Sequence, residues 1–417
     1  MRNMFLYMVL FTLVSCGGTD TPKRESETPT TPTQPQEDTA DPVPTPPPNA
    51  EGQEPAFPEQ TRAPQLNSGV TLAVTEVASG LSHPWAIEFL PDGRLIMTLR
   101  PGELHIVSKQ GEVSEPITGV PVVDARGQGG LLDVVLSPGF ATDRLVYLSY
   151  AEPRAEGKTG TAVARGRLSE DGTELQNVEV IFQQQPSWDS TLHYGSRLVW
   201  DNNGLLYVTL GERSNPEPRQ LAQDLNAHLG KVVRVKADGS IPADNPFANG
   251  ENGLPEIWSY GHRNIQGADL HPVTGRLWTI EHGPKGGDEL NAPQAGKNYG
   301  WPIITYGEDY SGAPIGEGIT SKSGMEQPLY YWDPVIAPGG MIFYEGGMFA
   351  DWQGDLLISA LNPGGLVRIQ LDGDQVTGEE RFLPDVGRVR DVKQDSEGGL
   401  WIITDEDNGR LLRITKE

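Results

Sequence analysis

Six short segments gather the residue types that do chemistry: Gly127-Gln128-Gly129-Gly130, Leu192-His193-Tyr194-Gly195-Ser196-Arg197, Gly261-His262-Arg263-Asn264-Ile265-Gln266-Gly267, Glu281-His282-Gly283-Pro284-Lys285-Gly286-Gly287-Asp288-Glu289, Asn298-Tyr299-Gly300-Trp301-Pro302 and Arg388-Val389-Arg390-Asp391. His193 lies between polar turns, eleven residues before a β-rich run. An imidazole near its ordinary pKa is a natural general base at neutral pH. Glu212, just past that run, can accept a hydrogen bond from the second ring nitrogen and fix the tautomer. The chain has seven histidines, and a loop histidine serves equally well as a surface or hydrogen-bonding residue, so composition does not select His193 over His83, His262 or His282. Arg388 and Arg390 are two apart, which puts both guanidinium groups on one side of a strand. With Arg263 they would suit a planar polyanion, because forked donors match carboxylates in pairs. Pairing with Asp391 or Asp405 is the alternative. Gly283-Pro284 followed by Asp288-Glu289 offers hard oxygen donors of the kind Ca²⁺ takes, although such turns are also ordinary surface features.

These segments need elements to hold them, and the chain supplies a repeat. Gly93-Arg94-Leu95-Ile96-Met97-Thr98 is matched by Asp143-Arg144-Leu145-Val146-Tyr147-Leu148, Gly204-Leu205-Leu206-Tyr207-Val208-Thr209, Gly275-Arg276-Leu277-Trp278-Thr279-Ile280, Gly354-Asp355-Leu356-Leu357-Ile358-Ser359 and Gly398-Gly399-Leu400-Trp401-Ile402-Ile403. Each is a turn followed by a short β-rich strand. The leucines at 95, 145, 206, 277, 356 and 400 are 50, 61, 71, 79 and 44 residues apart. A common unit at uneven spacing predicts a six-bladed β-propeller, all-β, with four-stranded blades and loops of varied length. Just past the repeated strand stand Arg100, Glu212, Glu281-His282 and Asp405. Ring symmetry brings equivalent positions together, so these charges predict a polar pocket at the axis; solvated strand ends are the other reading.

The chain has 417 residues, with 57 acidic and 32 basic side chains and a net charge of −25. Such a balance excludes a nucleic-acid partner, which requires a basic face. One cysteine, Cys16, excludes a disulfide scaffold, cysteine-ligated zinc and iron–sulfur clusters. Met1–Cys16 is one arginine followed by an apolar run too short to span a bilayer, ending in Leu13-Val14-Ser15-Cys16. That pattern is expected of a lipoprotein signal over 1–15 with a lipid on Cys16, placing the protein in the periplasm or at the cell surface on the outer membrane. Residues 16–65 are rich in Thr, Pro, Glu and Gln and are expected to form a disordered tether. Residues 66–417 are expected to be the propeller.

In their order and spacing, the GHRN-x-QG, EHGP-x-GGDE, NYGWP and R-x-RD segments resemble the soluble pyrroloquinoline-quinone (PQQ) dependent aldose sugar dehydrogenases of the glucose/sorbosone dehydrogenase family. The likeness runs from about Val74 to Ile414. That family is a six-bladed propeller oxidising aldoses at C1 to lactones by hydride transfer to PQQ. The resemblance implies that His193 is the catalytic base, Glu212 its acidic partner, and Arg263 the arginine that contacts the quinone oxygens. It likewise implies cofactor contacts from Gln128, Asn264, Arg388 and Arg390. Gly283 and Pro284 would hold the Ca²⁺ bound to PQQ, Glu289 and Tyr299 a further Ca²⁺, and Asp309 another. Asn362 stands where the family usually has a lysine on PQQ, which removes one cation from the pocket. Ile265 replaces the proline of RNPQG, and the long insertions of glucose-specific members are missing or short. These features imply a broad-substrate, monomeric aldose dehydrogenase with a small-molecule sugar substrate and an electron acceptor, a quinone or cytochrome, that the sequence does not identify. The competing readings are a calcium-dependent propeller lactonase or hydrolase and a non-catalytic propeller that binds glycans or protein.

Overall fold

Leu95, Leu145, Leu206, Leu277, Leu356 and Leu400 each fall in the second strand of a separate sheet. The structure, a computed structural model, describes residues 40–417. The second strands are Leu95–Leu99, Leu145–Pro153, Leu205–Leu210, Leu277–Glu281, Leu356–Ala360 and Leu400–Thr404. Several are buried along their whole length: Leu95–Leu99, Leu277–Glu281, Leu356–Ala360 and Leu400–Thr404. A strand sandwiched between neighbouring sheets has no solvent face, so it reads as a short continuous apolar run and not as an alternation.

The sheets are antiparallel and arranged as the predicted six blades. The first strands, Pro84–Phe89, Leu131–Leu136, Gly195–Trp200, Ile265–Leu270, Pro338–Phe343 and Val389–Gln394, touch one another in turn around a closed ring. Leu72–Leu81 closes the ring from the other end of the chain by pairing with Gly409–Lys416 as the outer strand of the last blade. One blade departs from the four-strand expectation. The first has only Pro84–Phe89, Leu95–Leu99 and Glu103–Val107; Val113–Ile117 runs along its outer edge through single contacts, Ser114 N to Ile106 O and Ile117 N to Leu104 O.

Apolar packing between blades forms the core, as where Tyr147 and Val163 of one blade meet Leu206, Val208 and Val233 of the next. Buried hydroxyls and carboxylates stitch the same seams. Thr98 Oγ1 donates to Leu132 O, 2.5 Å away in the next blade, and accepts from Ala86 N at 3.1 Å. Ser149 and Thr209 repeat the stitch on Ser196 O and Ile265 O. In alternate blades an aspartate reaches across: Asp133 to Leu198 N, Asp269 to Phe343 N and Asp391 to Ile87 N. Thr98→Val keeps the volume but leaves two buried partners unmatched. It is expected to destabilise the fold by about 2 kcal/mol, read as a lower urea midpoint at constant slope.

The tether ends sooner than composition implies. Residues 40–65, expected to be disordered, lie along the propeller. Gln60 Nε2 donates to Pro328 O, Ala63 N to Tyr330 OH, and Leu66 N to Glu379 O. Its few apolar residues, such as the buried Ala50 and Ala63, find their cover on partners more than 250 residues away, which local composition does not register. The signal and the Cys16 lipid site lie outside the described residues. No helix among the described residues is long and apolar enough to cross a membrane.

Candidate active site

The ladder registers decide where the functional side chains go. In each blade the start of the first strand faces the end of the second: Pro84 with Leu99, Leu131 with Tyr150, Gly195 with Leu210, Ile265 with Glu281, Pro338 with Ala360 and Val389 with Thr404. Residues just before a first strand (His83, Gln128, His193, Arg263, Asn264, Arg388) therefore meet residues just after a second strand (Arg100, Glu212, His282, Asn362, Asp405) at one end of the ring. A cavity of about 220 Å³ opens there, lined by Gln128, Asn264, His282, Arg388 and Arg390 among others.

His193 and Glu212 are brought together as predicted. His193 Nδ1 lies 2.8 Å from Glu212 Oε1, and both residues are buried. Glu212 is aimed by its own backbone N–H, which donates to Arg263 O, and by Ser214 N, which donates to its Oε2. A carboxylate at Nδ1 fixes the proton on that nitrogen and leaves Nε2 as the basic one; no described residue hydrogen-bonds Nε2. The backbone of His193 is left-handed, φ 48°, a conformation costing about 1 kcal/mol or more for a non-glycine residue. Gln128 Oε1 holds it there by accepting from His193 N at 2.9 Å. Gly211 makes the close approach possible, since a β-carbon there would lie 2.1 Å from His193 O. Burial depresses the imidazole pKa, the positive Arg263 depresses it further, and Glu212 opposes both. The His193 pKa is thus held below the ordinary histidine value.

Arg263 Nη1 donates to the main-chain oxygens of His282 (3.0 Å) and Gly283 (2.6 Å), with its guanidinium 5.2 Å from the Trp301 ring. Its Nε is buried without a partner. Asn264 Oδ1 accepts from Gly195 N, so this amide ties the His193 loop to the Arg263 loop. Arg388 and Arg390 both line the cavity, the first half-exposed and the second buried. The alternative pairing also holds: Arg390 Nη2 donates to Asp405 Oδ2 at 2.5 Å, with Arg388 at 3.8 Å. Burial alone would raise the Asp405 carboxyl; Arg390, His83 and Arg100 outweigh it and hold it far below the usual carboxylate range. Asp391 serves the Arg197 seam instead.

Asn362 is exposed and lines a neighbouring cleft of about 550 Å³, together with Gly283 and Pro284. Glu289 and Tyr299 lie elsewhere, in one contiguous cluster. Asn291 Nδ2 donates to both Glu281 and Glu289, and His262 Nδ1 contacts Glu281 while its ring stacks on Tyr299 at 4.8 Å. Burial and the charge of Glu281 push the Glu289 carboxyl well above its usual range. Asp309 Oδ1 accepts from Ser311 N and Oγ in a turn of its own loop, next to Glu308, which pairs with Lys285. Among the described residues no three carboxylate, histidine or cysteine side chains are grouped for a metal.

The repeat sets His282 at the predicted axial pocket without assigning it a role. Its Nε2 faces Pro338 O at 2.7 Å, so Nδ1 is the lone-pair nitrogen. Burial, with help from Arg390 and Arg263, lowers its pKa to about 3, so it stays uncharged. The signal was present in its place directly after a repeated strand. His83, bridging Asp405 and Asp407 at 2.9 and 2.8 Å, occupies the matching entry position in the first blade and shares the left-handed φ of His193.

The residues present fit an anionic, oxygen-rich guest in the cavity. Arg390 and Arg100, which line it, each keep a buried Nε without a protein partner, as does Arg263 outside its lining. The Glu281–Glu289 pair, with the unpartnered buried Oδ1 of Asn291, offers the hard oxygens that suit Ca²⁺. Gly283 O is already shared with Arg263.

Comparison with known proteins covers nearly the whole propeller. The family described as Glucose / Sorbosone dehydrogenase matches residues 81–413. An Escherichia coli K12 protein, aldose sugar dehydrogenase YliI, is 46% identical over 348 residues, which is 83% of this chain and 93% of that protein. The crystal structure of the soluble aldose sugar dehydrogenase from Escherichia coli in the apo-form matches with TM-score 0.80 and 45% identity over 83% of this chain and all of that one. The PQQ-bound aldose sugar dehydrogenase of Streptomyces coelicolor matches with TM-score 0.67 and 29% identity over 84% and 99%.

Proposed function

We propose, from the premise that the chain belongs to the glucose/sorbosone dehydrogenase family, that it is an oxidoreductase acting on aldose sugars with PQQ as cofactor and a lactone as product. One observation carries the reading: a buried imidazole, oriented by a carboxylate and free at Nε2, stands beside a cavity whose guanidinium groups keep unpartnered nitrogens. His193 Nε2 takes the proton of the sugar's anomeric hydroxyl, and Glu212 steadies the imidazolium that results. Bound in the cavity, PQQ would supply the acceptor for the hydride leaving C1, with Ca²⁺ as the Lewis acid that polarises it. Arg388 and Arg390 would hold the cofactor's carboxylates, Gln128 and Asn264 its polar edge. Arg263 presents a fixed positive charge where an oxyanion develops. Asn362 adds no charge where the family usually has lysine, so the arginines bear the anionic load.

The test is direct. The purified chain is mixed with PQQ and Ca²⁺ and assayed for dye reduction with glucose. Bleaching that needs both additions supports the reading, and no bleaching with any aldose overturns it. The reading extends to a monomer tethered through a lipid on Cys16 in the periplasm or at the cell surface, handing electrons to a quinone or cytochrome; palmitate labelling lost in Cys16→Ser tests the anchor.

Calcium makes a separate prediction. If the Glu281–Glu289 cluster binds Ca²⁺, saturating Ca²⁺ raises the thermal midpoint of the metal-free chain by roughly 5 °C. Glu289→Gln is expected to abolish that rise. An equal rise in the variant, measured by calorimetry, places the ion elsewhere.

A further inference from the structure

The segment Pro42–Gln65 lies outside the family match, which begins at residue 81, yet it reaches the site. Thr45, Pro46 and Asn49 form one side of the 550 Å³ cleft whose other side includes Gly283, Pro284 and Asn362. His282 lines both this cleft and the catalytic cavity, so the two meet there.

The segment is pinned firmly. Asp333 accepts from Asn49 N (2.8 Å), Asn49 Nδ2 (3.1 Å) and Ala50 N (3.0 Å). Arg62 ties the loop to itself and to the blade, with Nη1 on Thr45 Oγ1 and Nη2 on Asp333 O. Pro46-Pro47-Pro48 stiffens the stretch between these pins. A spacer needs none of this. Asp333 also sits on the Gly286 turn, where a β-carbon would lie 2.8 Å from its carboxyl group, so the strap is anchored to the loop that carries Gly283 and Pro284.

The lining has a recognisable chemistry. Thr45 brings a hydroxyl, Asn49 an amide, and Tyr310 a largely exposed aromatic ring. Amides and hydroxyls pair with sugar hydroxyls in both directions, and an aromatic face accepts the apolar side of a pyranose. We propose that the strap Thr45–Asn49 is a specificity-determining element: an outer subsite for the sugar ring distal to the one oxidised, making this chain favour disaccharide aldoses over monosaccharides. The proposal rests on the sugar-oxidising function above.

Two variants of the full chain release the strap, Asp333→Ala and Arg62→Ala; because Asp333 also packs on the Gly286 turn, both are read as the ratio of maltose to glucose kcat/KM. Hydrogen exchange of the Asn49 and Ala50 amides reports the release. In Asp333→Ala, kcat/KM for maltose is expected to fall about tenfold relative to that for glucose, through KM, as when one or two hydrogen bonds to a ligand are lost. Arg62→Ala is expected to move the same ratio by a smaller factor. Calorimetric binding of maltitol, which has no anomeric hydroxyl to oxidise, is expected to weaken in step while sorbitol is unaffected. An unchanged maltose-to-glucose ratio and unchanged maltitol affinity in variants whose strap exchanges freely overturn the subsite. Failure of the unaltered protein to oxidise either sugar overturns the dehydrogenase reading instead, and maltitol binding then still reports on the strap.

Discussion

Replacing His193 with alanine is expected to lower kcat for aldose oxidation about 10³-fold, the range of a positioned general base. PQQ affinity, followed by absorbance titration, is expected to hold within a few-fold, because His193 contributes a base and the arginines contribute the anion grip. Alanine keeps the β-carbon, so the left-handed backbone at φ 48° gains and loses little, and the Gln128 contact to the main-chain N–H survives. Added imidazole is expected to recover part of the rate with a pH dependence of its own. A variant that retains more than a tenth of the activity would show that another group takes the proton, and His282, with a free Nδ1 on the cavity wall, would be the next to replace.

Much of this site was legible in the chain, for a physical reason. A blade's second strand is covered on both faces, so Leu-rich runs such as Leu356–Ala360 stand out from the polar turns before them. Once those runs are seen as a ring, the residues at their ends must converge, and Arg100, Glu212, His282 and Asp405 do. The first strands were harder to see. Gly195–Trp200 and Val389–Gln394 open with register shifts and carry buried charge, Arg197 in one and Arg390 and Asp391 in the other. Their polar residues are satisfied by other blades, Arg197 by Asp133 and Asp391. Nothing local marks such partners. The strap failed to register for the same reason: its composition is that of a spacer, and its order comes from Asp333, Tyr330 and Glu379. At Asp309, an acidic residue near a metal-like motif, Oδ1 is engaged by Ser311 in a local turn, a contact that sequence spacing does not reveal.

Arg263→Gln is the second large effect, and it moves two observables at once. The side chain keeps a hydrogen-bonding end but loses its charge, so kcat is expected to drop about 10²- to 10³-fold, the loss typical of one fixed donor to a developing oxyanion. The pH profile separates this from misfolding. Arg263 is the second-largest cause, after burial, of the depressed His193 pKa. Removing that cation makes the imidazolium easier to form, so the acid limb of kcat/KM moves to higher pH, toward the ordinary histidine value. Glu212→Gln carries the opposite sign: Glu212 is the group that raises the His193 pKa, and its loss moves the limb to lower pH while the tautomer loses its anchor and kcat falls. Opposed shifts in the two variants can arise only if one imidazole feels both charges and limits the reaction. Shifts in the same direction, or none, would remove His193 from the proton transfer and leave Arg263 with an anchoring role alone.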